Sequence, residues 1–135
     1  MRVREWMNPI SKPLSPESSL LEAAHRMADL GTTALPVCED GVLLGLLSER
    51  ALVLGAVQED SDGDEIPATR GRVDRAMLTD PVTCQEDEAV EDVLERLAGT
   101  GTRHVVVLDA GGATVGIFAL RDDWISEAPT DGALP

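Results

Sequence analysis

The chain has no tyrosine, one phenylalanine and two tryptophans, so aromatics make up 2% of its 135 residues. It has two cysteines and a single lysine, Lys12. Each scarcity narrows the reading. Cys38 and Cys84 lie far apart in segments that read as strands, with no Cys-x-x-Cys spacing, so they read as small buried hydrophobes rather than a redox pair or a disulfide framework. Eleven cations against 25 carboxylates give a net charge of −14. That balance excludes nucleic acid as the expected partner, because such association is driven by Lys and Arg displacing counterions from phosphates. Nowhere do about 18 apolar residues follow one another. Residues 1–8, with Arg2, Arg4 and Glu5, lack an apolar run of signal-peptide length. A cytoplasmic, soluble chain with no membrane partner is therefore expected.

What is present is enough apolar material, 43% of the residues, to build a core. A chain of this length buries roughly two-thirds of its unfolded surface without help from disulfides or a structural metal. The chain is also repeated. A shift of 70 places Met7 on Met77, Leu20 on Val90, Glu22 on Asp92, Gly31 on Gly101, Val37 on Val107 and Gly41 on Gly111. After one inserted residue the shift becomes 71 and pairs Gly45 with Gly116, Leu46 with Ile117 and Arg50 with Arg121. Matching glycines and apolar classes over about fifty residues mark an internal duplication.

Both copies share one grammar. A short extended segment (residues 13–15, then 82–84) precedes a helix whose apolar positions recur at helical spacing. These are Leu20, Ala23, Ala24, Met27 and Leu30 in the first copy and Val90, Val93, Leu94 and Leu97 in the second. Pro16 and Ser18 read as the start of the first helix, Asp87 precedes the second, and Gly31 and Gly101 read as their stops. Residues 34–38 and 104–108 are short apolar runs that read as buried strands. The turns at Glu39-Asp40-Gly41 and Asp109 to Gly112 lead into return strands over 42–47 and 114–118. A further helix is expected near Ser48 and near Ala119. The unit is β-α-β-β-α, and a copy of about 55 residues cannot cover both faces of its sheet, so two copies should pair. Residues 58–69 are polar and acidic and read as an exposed linker.

These segments resemble a tandem pair of cystathionine-β-synthase (CBS) domains, a Bateman module standing alone. The resemblance is carried by residues 3–7, 20–24, 33–41 and 45–50 and by their counterparts at 73–77, 90–94, 103–112 and 116–122. It implies an α+β (α/β) fold of two β-α-β-β-α motifs related by a pseudo-two-fold axis through their sheets. The division would be motif 1 over 1–57 with its leading segment, acidic linker 58–72, motif 2 over 73–128 and a flexible tail over 129–135. It further implies two clefts between the motifs for adenosyl compounds (AMP, ADP, ATP or S-adenosylmethionine), and a homodimer.

In such modules the last strand and second helix carry Gly-h-x-Ser/Thr-x-x-Asp, with h apolar. The carboxylate accepts from the ribose hydroxyls and the fixed hydroxyl reaches a phosphate or ribose oxygen. The first copy, Gly45-Leu46-Leu47-Ser48-Glu49-Arg50-Ala51, keeps the hydroxyl and loses the Asp. The second, Gly116-Ile117-Phe118-Ala119-Leu120-Arg121-Asp122, keeps the Asp and loses the hydroxyl. The better ligand site is thus expected at Asp122, with Ile117, Ala119 and Arg121 and first-copy residues Ile10, Ser11, Thr32 and Thr33. A second cleft would hold Ser48, Ala51, Thr79, Thr102, Arg103 and His104 and take an anion or nothing.

Other residues have plainer readings. Arg50, Arg103 and Arg121 are phosphate-clamp candidates set against surface ion pairing. His25 has no second ligand at zinc spacing. The acidic run 59–65 misses the calcium-loop frame, since Glu65 falls where Gly is needed and Gly71 where the bidentate Glu belongs. Trp6 and Trp124 read as core anchors or interface residues. No nucleophile stands with a base and no Gly-x-Ser-x-Gly or phosphate-binding Gly-rich loop occurs, so an enzyme is not expected. The reading is a regulatory module that requires no cofactor, senses an adenine nucleotide or S-adenosylmethionine, and modulates an unidentified regulated protein. The alternative is a ligand-independent dimerisation scaffold with degenerate sites. A third reading is divalent-ion sensing by the acidic linker.

Overall fold

The computed structural model describes residues 1–54, 58–59, 61–67 and 70–120. In chain order the elements are α1 (Val3–Trp6), β1 (Asn8–Pro9), α2 (Leu20–Leu30), β2 (Ala34–Glu39), β3 (Val42–Ser48) and α3 (Glu49–Leu54). They continue with β4 (Gln58–Glu59), β5 (Glu65–Ile66), a 3-10 turn (Val73–Arg75), β6 (Leu78–Thr79), β7 (Thr83–Gln85), α4 (Val90–Leu97), β8 (His104–Leu108) and β9 (Thr114–Ala119). The helix expected after Ala119 and the tail over 129–135 lie outside the described residues.

The chain divides into two compact units that cut across the repeats. One is residues 10–81; the other joins residues 1–9 to residues 82 onward. The leading segment of each copy is therefore built into the other copy. In the first unit the sheet order is β2-β3-β6, with Gly45 opposite Thr79 and Leu46 opposite Leu78. In the second it is β1-β9-β8-β7, with Gly116 opposite Pro9 and Ile117 opposite Asn8. Under the 70- and 71-residue shifts these two registers are the same register. Glycine is required at both crossings. A Cβ on Gly45 would stand 2.7 Å from the Leu78 carbonyl oxygen and from Met77 Sδ, and one on Gly116 would stand 2.8 Å from the Asn8 carbonyl oxygen and from Met7 Sδ.

Within the 10–81 unit, α2 starts at Ser19, whose hydroxyl accepts from the Glu22 N–H at 3.0 Å, and ends at Gly31 in the left-handed conformation (φ 65°). Its apolar stripe of Leu20, Ala23 and Met27 is buried, as are Leu35 and Val37 of β2 and Leu47 of β3. Asp40 and Gly41, at φ 52° and 79°, make the two-residue β2–β3 turn with both central residues left-handed. The leading segment of the second copy is tied in by main-chain bonds: Val73 N–H to Ser18 O at 2.9 Å, Leu20 N–H to Gly71 O at 2.9 Å and Asp74 N–H to Pro16 O at 3.1 Å.

In the other unit, Val3 of α1, Cys84, Val90, Val93, Leu97, Val105, Val107, Phe118 and Leu120 form one buried cluster. The only phenylalanine of the chain, Phe118, is central to it. Here residues 1–4 do for the second copy what 71–74 do for the first: Val3 N–H donates to Glu88 O and Val90 N–H to Met1 O, both at 2.9 Å.

Two expectations are corrected. Ser18 is not the α2 cap; its hydroxyl accepts from the Ser15 N–H instead, at 3.1 Å, leaving capping to Ser19. The second helix starts at Val90, after Asp87 as expected and with Ala89 in the cap position, but ends at Leu97, short of Gly101, with left-handed glycines at both 99 and 101. In the acidic stretch residues 61–65 are exposed, and β4 and β5 pair antiparallel, Gln58 with Ile66 and Glu59 with Glu65.

Candidate functional site

Each unit carries one glycine-led strand end, with Thr33 beside Ser48 in one and with Arg103 and His104 beside Ala119 in the other. In the 10–81 unit, Ser48 closes β3 opposite Ala34. Its Oγ accepts from the Ala51 N–H at 3.0 Å, so it caps α3. One lone pair of the hydroxyl is used in this way. Glu49 N–H donates to the Thr33 carbonyl at 2.7 Å, which fixes Thr33 beside this turn. Thr32 is turned back on its own chain, with Oγ1 donating to Ala34 O at 3.0 Å. Thr79 stands opposite Gly45. Ile10 is buried, Ser11 is exposed, and Ala51 is half-buried.

In the other unit, β9 runs Gly116-Ile117-Phe118-Ala119, and the alternation of side chains sends Phe118 into the cluster above and Ile117 to the opposite face. Ile117 is buried and Ala119 exposed. His104 lies opposite Ala119, and Leu120 N–H donates to Arg103 O at 2.8 Å. Thr102 is half-buried, and its N–H donates to Thr100 Oγ1 at 3.2 Å. Burial, and then the Arg103 guanidinium, push the His104 imidazole below its ordinary value, so it is neutral at pH 7. A neutral ring can serve as both donor and acceptor. Arg121 and Asp122 lie outside the described residues.

Within its unit, Ser48 thus has Thr33 beside it while Thr79 stands three residues back along β3, opposite Gly45, and Ala119 has Arg103 and His104. Sequence reasoning missed the methionines: Met7 and Met77 sit on the two glycines. Their alignment in the repeat was the available signal. Among the described residues no group of three or more His, Cys, Asp or Glu side chains converges to hold a metal ion. No described helix is long and apolar enough to cross a membrane.

The sequence profile of the CBS domain matches residues 3–55 and 72–122, and the chain belongs to the CBS domain family as a tandem pair. The CBS domain-containing protein YhcV of Bacillus subtilis (strain 168) is 29% identical over 131 residues, covering 97% of this chain and 89% of that protein. The solved CBS-domain containing protein ATU1752 from Agrobacterium tumefaciens superposes with a TM-score of 0.68 at 25% identity, over 95% of this chain and 98% of that one. CBSX2 from Arabidopsis thaliana, solved in complex with AMP, superposes with a TM-score of 0.65 at 22% identity over 94% of each chain.

Proposed function

We propose that this CBS pair is a regulatory module that binds an adenosyl compound, AMP, ADP, ATP or S-adenosylmethionine, at a site built on Asp122. The observation that carries the reading is the equivalence of the two strand ends. Gly116 meets the chain at Pro9 in the register in which Gly45 meets it at Thr79, so the strand that precedes Asp122 is held as the strand that ends at Ser48 is. Ile117 supplies an apolar wall for adenine, Asp122 accepts from the ribose hydroxyls, and Arg103 offers a phosphate its fork of N–H groups. The AMP held by the fold relative CBSX2 supports the ligand class. Occupancy shifts the module between two states only by its differential affinity for them, and that difference is what a regulated partner reads.

The test is calorimetric titration of the chain with AMP, ADP, ATP and S-adenosylmethionine, with Asp122→Ala as control. One saturable site lost in the variant is the expected result; no heat and no thermal stabilisation with any of the four refutes the reading.

A second reading, a ligand-independent homodimeric scaffold, is favoured by one observation. Helix α3 leaves Val53 67% and Leu54 73% exposed, an apolar surface on an otherwise charged chain. A dimer that is unchanged by nucleotide and broken by Val53→Asp with Leu54→Asp would support it.

A further inference from the structure

The repeat provides an internal control, since each side chain can be compared with its counterpart 70 positions away. In the second copy, the Arg96 guanidinium donates to the Thr83 carbonyl at 3.3 Å and to Glu88 Oε1 at 2.7 Å. The other Glu88 oxygen accepts from the Gln85 N–H at 2.7 Å. A carboxylate therefore bridges the loop to the helix. The first copy repeats the frame: Arg26 donates to the Pro13 carbonyl at 3.3 Å and to the Lys12 carbonyl, and the Ser15 N–H donates to Ser18 Oγ at 3.1 Å. The bridging carboxylate alone is missing, because Ser18 stands where the second copy has Glu88.

What is left there is an open cavity of about 280 Å³, lined by Lys12, Pro13, Ser15, Ser18, Glu22 and Arg26. Its chemistry is that of the missing group's complement. Arg26 has five N–H donors and spends two on main-chain carbonyls. Ser15 and Ser18 share one hydroxyl hydrogen across 3.1 Å, which leaves the other to point elsewhere. Lys12, the single lysine, adds a second cation where the second copy has Val82. Among the described residues no carboxylate forms an ion pair with Arg26 or Lys12. Glu22 lines the cavity, but its counterpart Asp92 sits in the same place beside Arg96 without displacing Glu88.

We infer that this cavity binds the carboxylate of a small free molecule, which takes the place that Glu88 fills in the second copy. The volume is at the lower end of ligand pockets, which suits a molecule of amino-acid size and not a nucleotide. The site lies on α2 and the loop before it, apart from Ser48 and Asp122 in the sequence, and does not depend on adenosyl binding. Its back wall is also a joint, because Pro16 O and Ser18 O accept from Asp74 N–H and Val73 N–H, which lead into β6. Occupancy would be felt at the leading segment of the second copy.

The test is an amide NMR titration of the full chain with sodium acetate and with L-serine, against sodium chloride at matched ionic strength. Saturable shifts confined to residues 12–26 and to 71–75 are expected with both carboxylates and not with chloride. Ser18→Glu should supply the missing group from within, abolish those shifts and leave thermal stability equal or higher. Lys12→Gln, at an exposed position, should weaken binding severalfold without affecting folding. Absence of saturable shifts in the natural chain, equal shifts with chloride, or unchanged saturation in both variants would overturn the inference.

Discussion

Replacing Gly116 by alanine tests the exchange of leading segments directly. The added Cβ would stand 2.8 Å from Met7 Sδ and from the Asn8 carbonyl oxygen. The sulfur is the far end of a flexible side chain and can move. The carbonyl cannot move without opening the ladder that pairs Asn8 with Ile117 and Pro9 with Gly116. Overpacking of this kind costs about 1–3 kcal/mol. The lower backbone freedom of alanine in the unfolded chain offsets about 0.4–1 kcal/mol of it. A net loss of about 1–2 kcal/mol remains, which for a chain of this size lowers Tm by roughly 3–7 °C. Calorimetry gives the Tm, and amide hydrogen exchange shows where the loss falls: residues 1–9 should lose protection while residues 78–79 keep theirs. Met7→Ala added to Gly116→Ala should not restore stability, because the backbone clash persists. Gly111→Ala is the control, since its Cβ would meet only Asp109 Oδ1, at an ordinary 3.5 Å. A Gly116→Ala chain with the natural Tm and natural protection over residues 1–9 would refute the strand exchange.

Three further outcomes are expected. Glu88 is held below the ordinary carboxylate range, first by the hydrogen bond from Arg96, so its contribution is present above the unfolded value near 4.3 and is lost as pH falls through the lower native one; Glu88→Gln should lower Tm at pH 7 and flatten its decline below about pH 5. Burial, and then the Glu88 carboxylate, push the Cys84 thiol up to about 11, so at pH 8 it should resist alkylation in the folded chain and react fully after denaturation, as read by mass spectrometry. Ser19→Ala removes the α2 cap and should cost about 1 kcal/mol in urea unfolding, while Ser18→Ala should leave α2 capped.

Much of the architecture was legible from residue pattern alone. The duplication, α2 over Leu20–Leu30, the Asp40-Gly41 turn and both β hairpins follow from local chemistry, in which each residue's neighbours in sequence are also its neighbours in space. What escaped was decided at long range or by competition. Nothing in Met7-Asn8-Pro9 says that its partner is Gly116 rather than Gly45; both glycines are equally bare, and connectivity makes the choice. Ser18 and Ser19 are equivalent cap candidates until the Ser15 N–H claims one of them. The hairpin of residues 58–66 is hidden by its charge, because paired main-chain groups need no apolar side chains. At the candidate site, the Ser48 cap could be read from its motif, whereas the neighbours of Ala119 emerged only from β8 pairing. The gap at Ser18 becomes visible only when the two copies are compared atom by atom.

Exchange of the leading segments also sets the order of events during synthesis. As the chain emerges from its amino end, β6 arrives some thirty residues behind β3, so the 10–81 unit has all its strands once residue 81 is free. Strand β1 is made long before its partner: Asn8 waits for Ile117, more than a hundred residues further along the chain. Long-range closures of this kind are slow because chain entropy is lost before any contact is gained. Until the last strand appears, the first nine residues have no sheet to join and α1 no core to cover. Fastening of residues 1–9 then comes after β9 has been made, whereas the 10–81 unit can close before it.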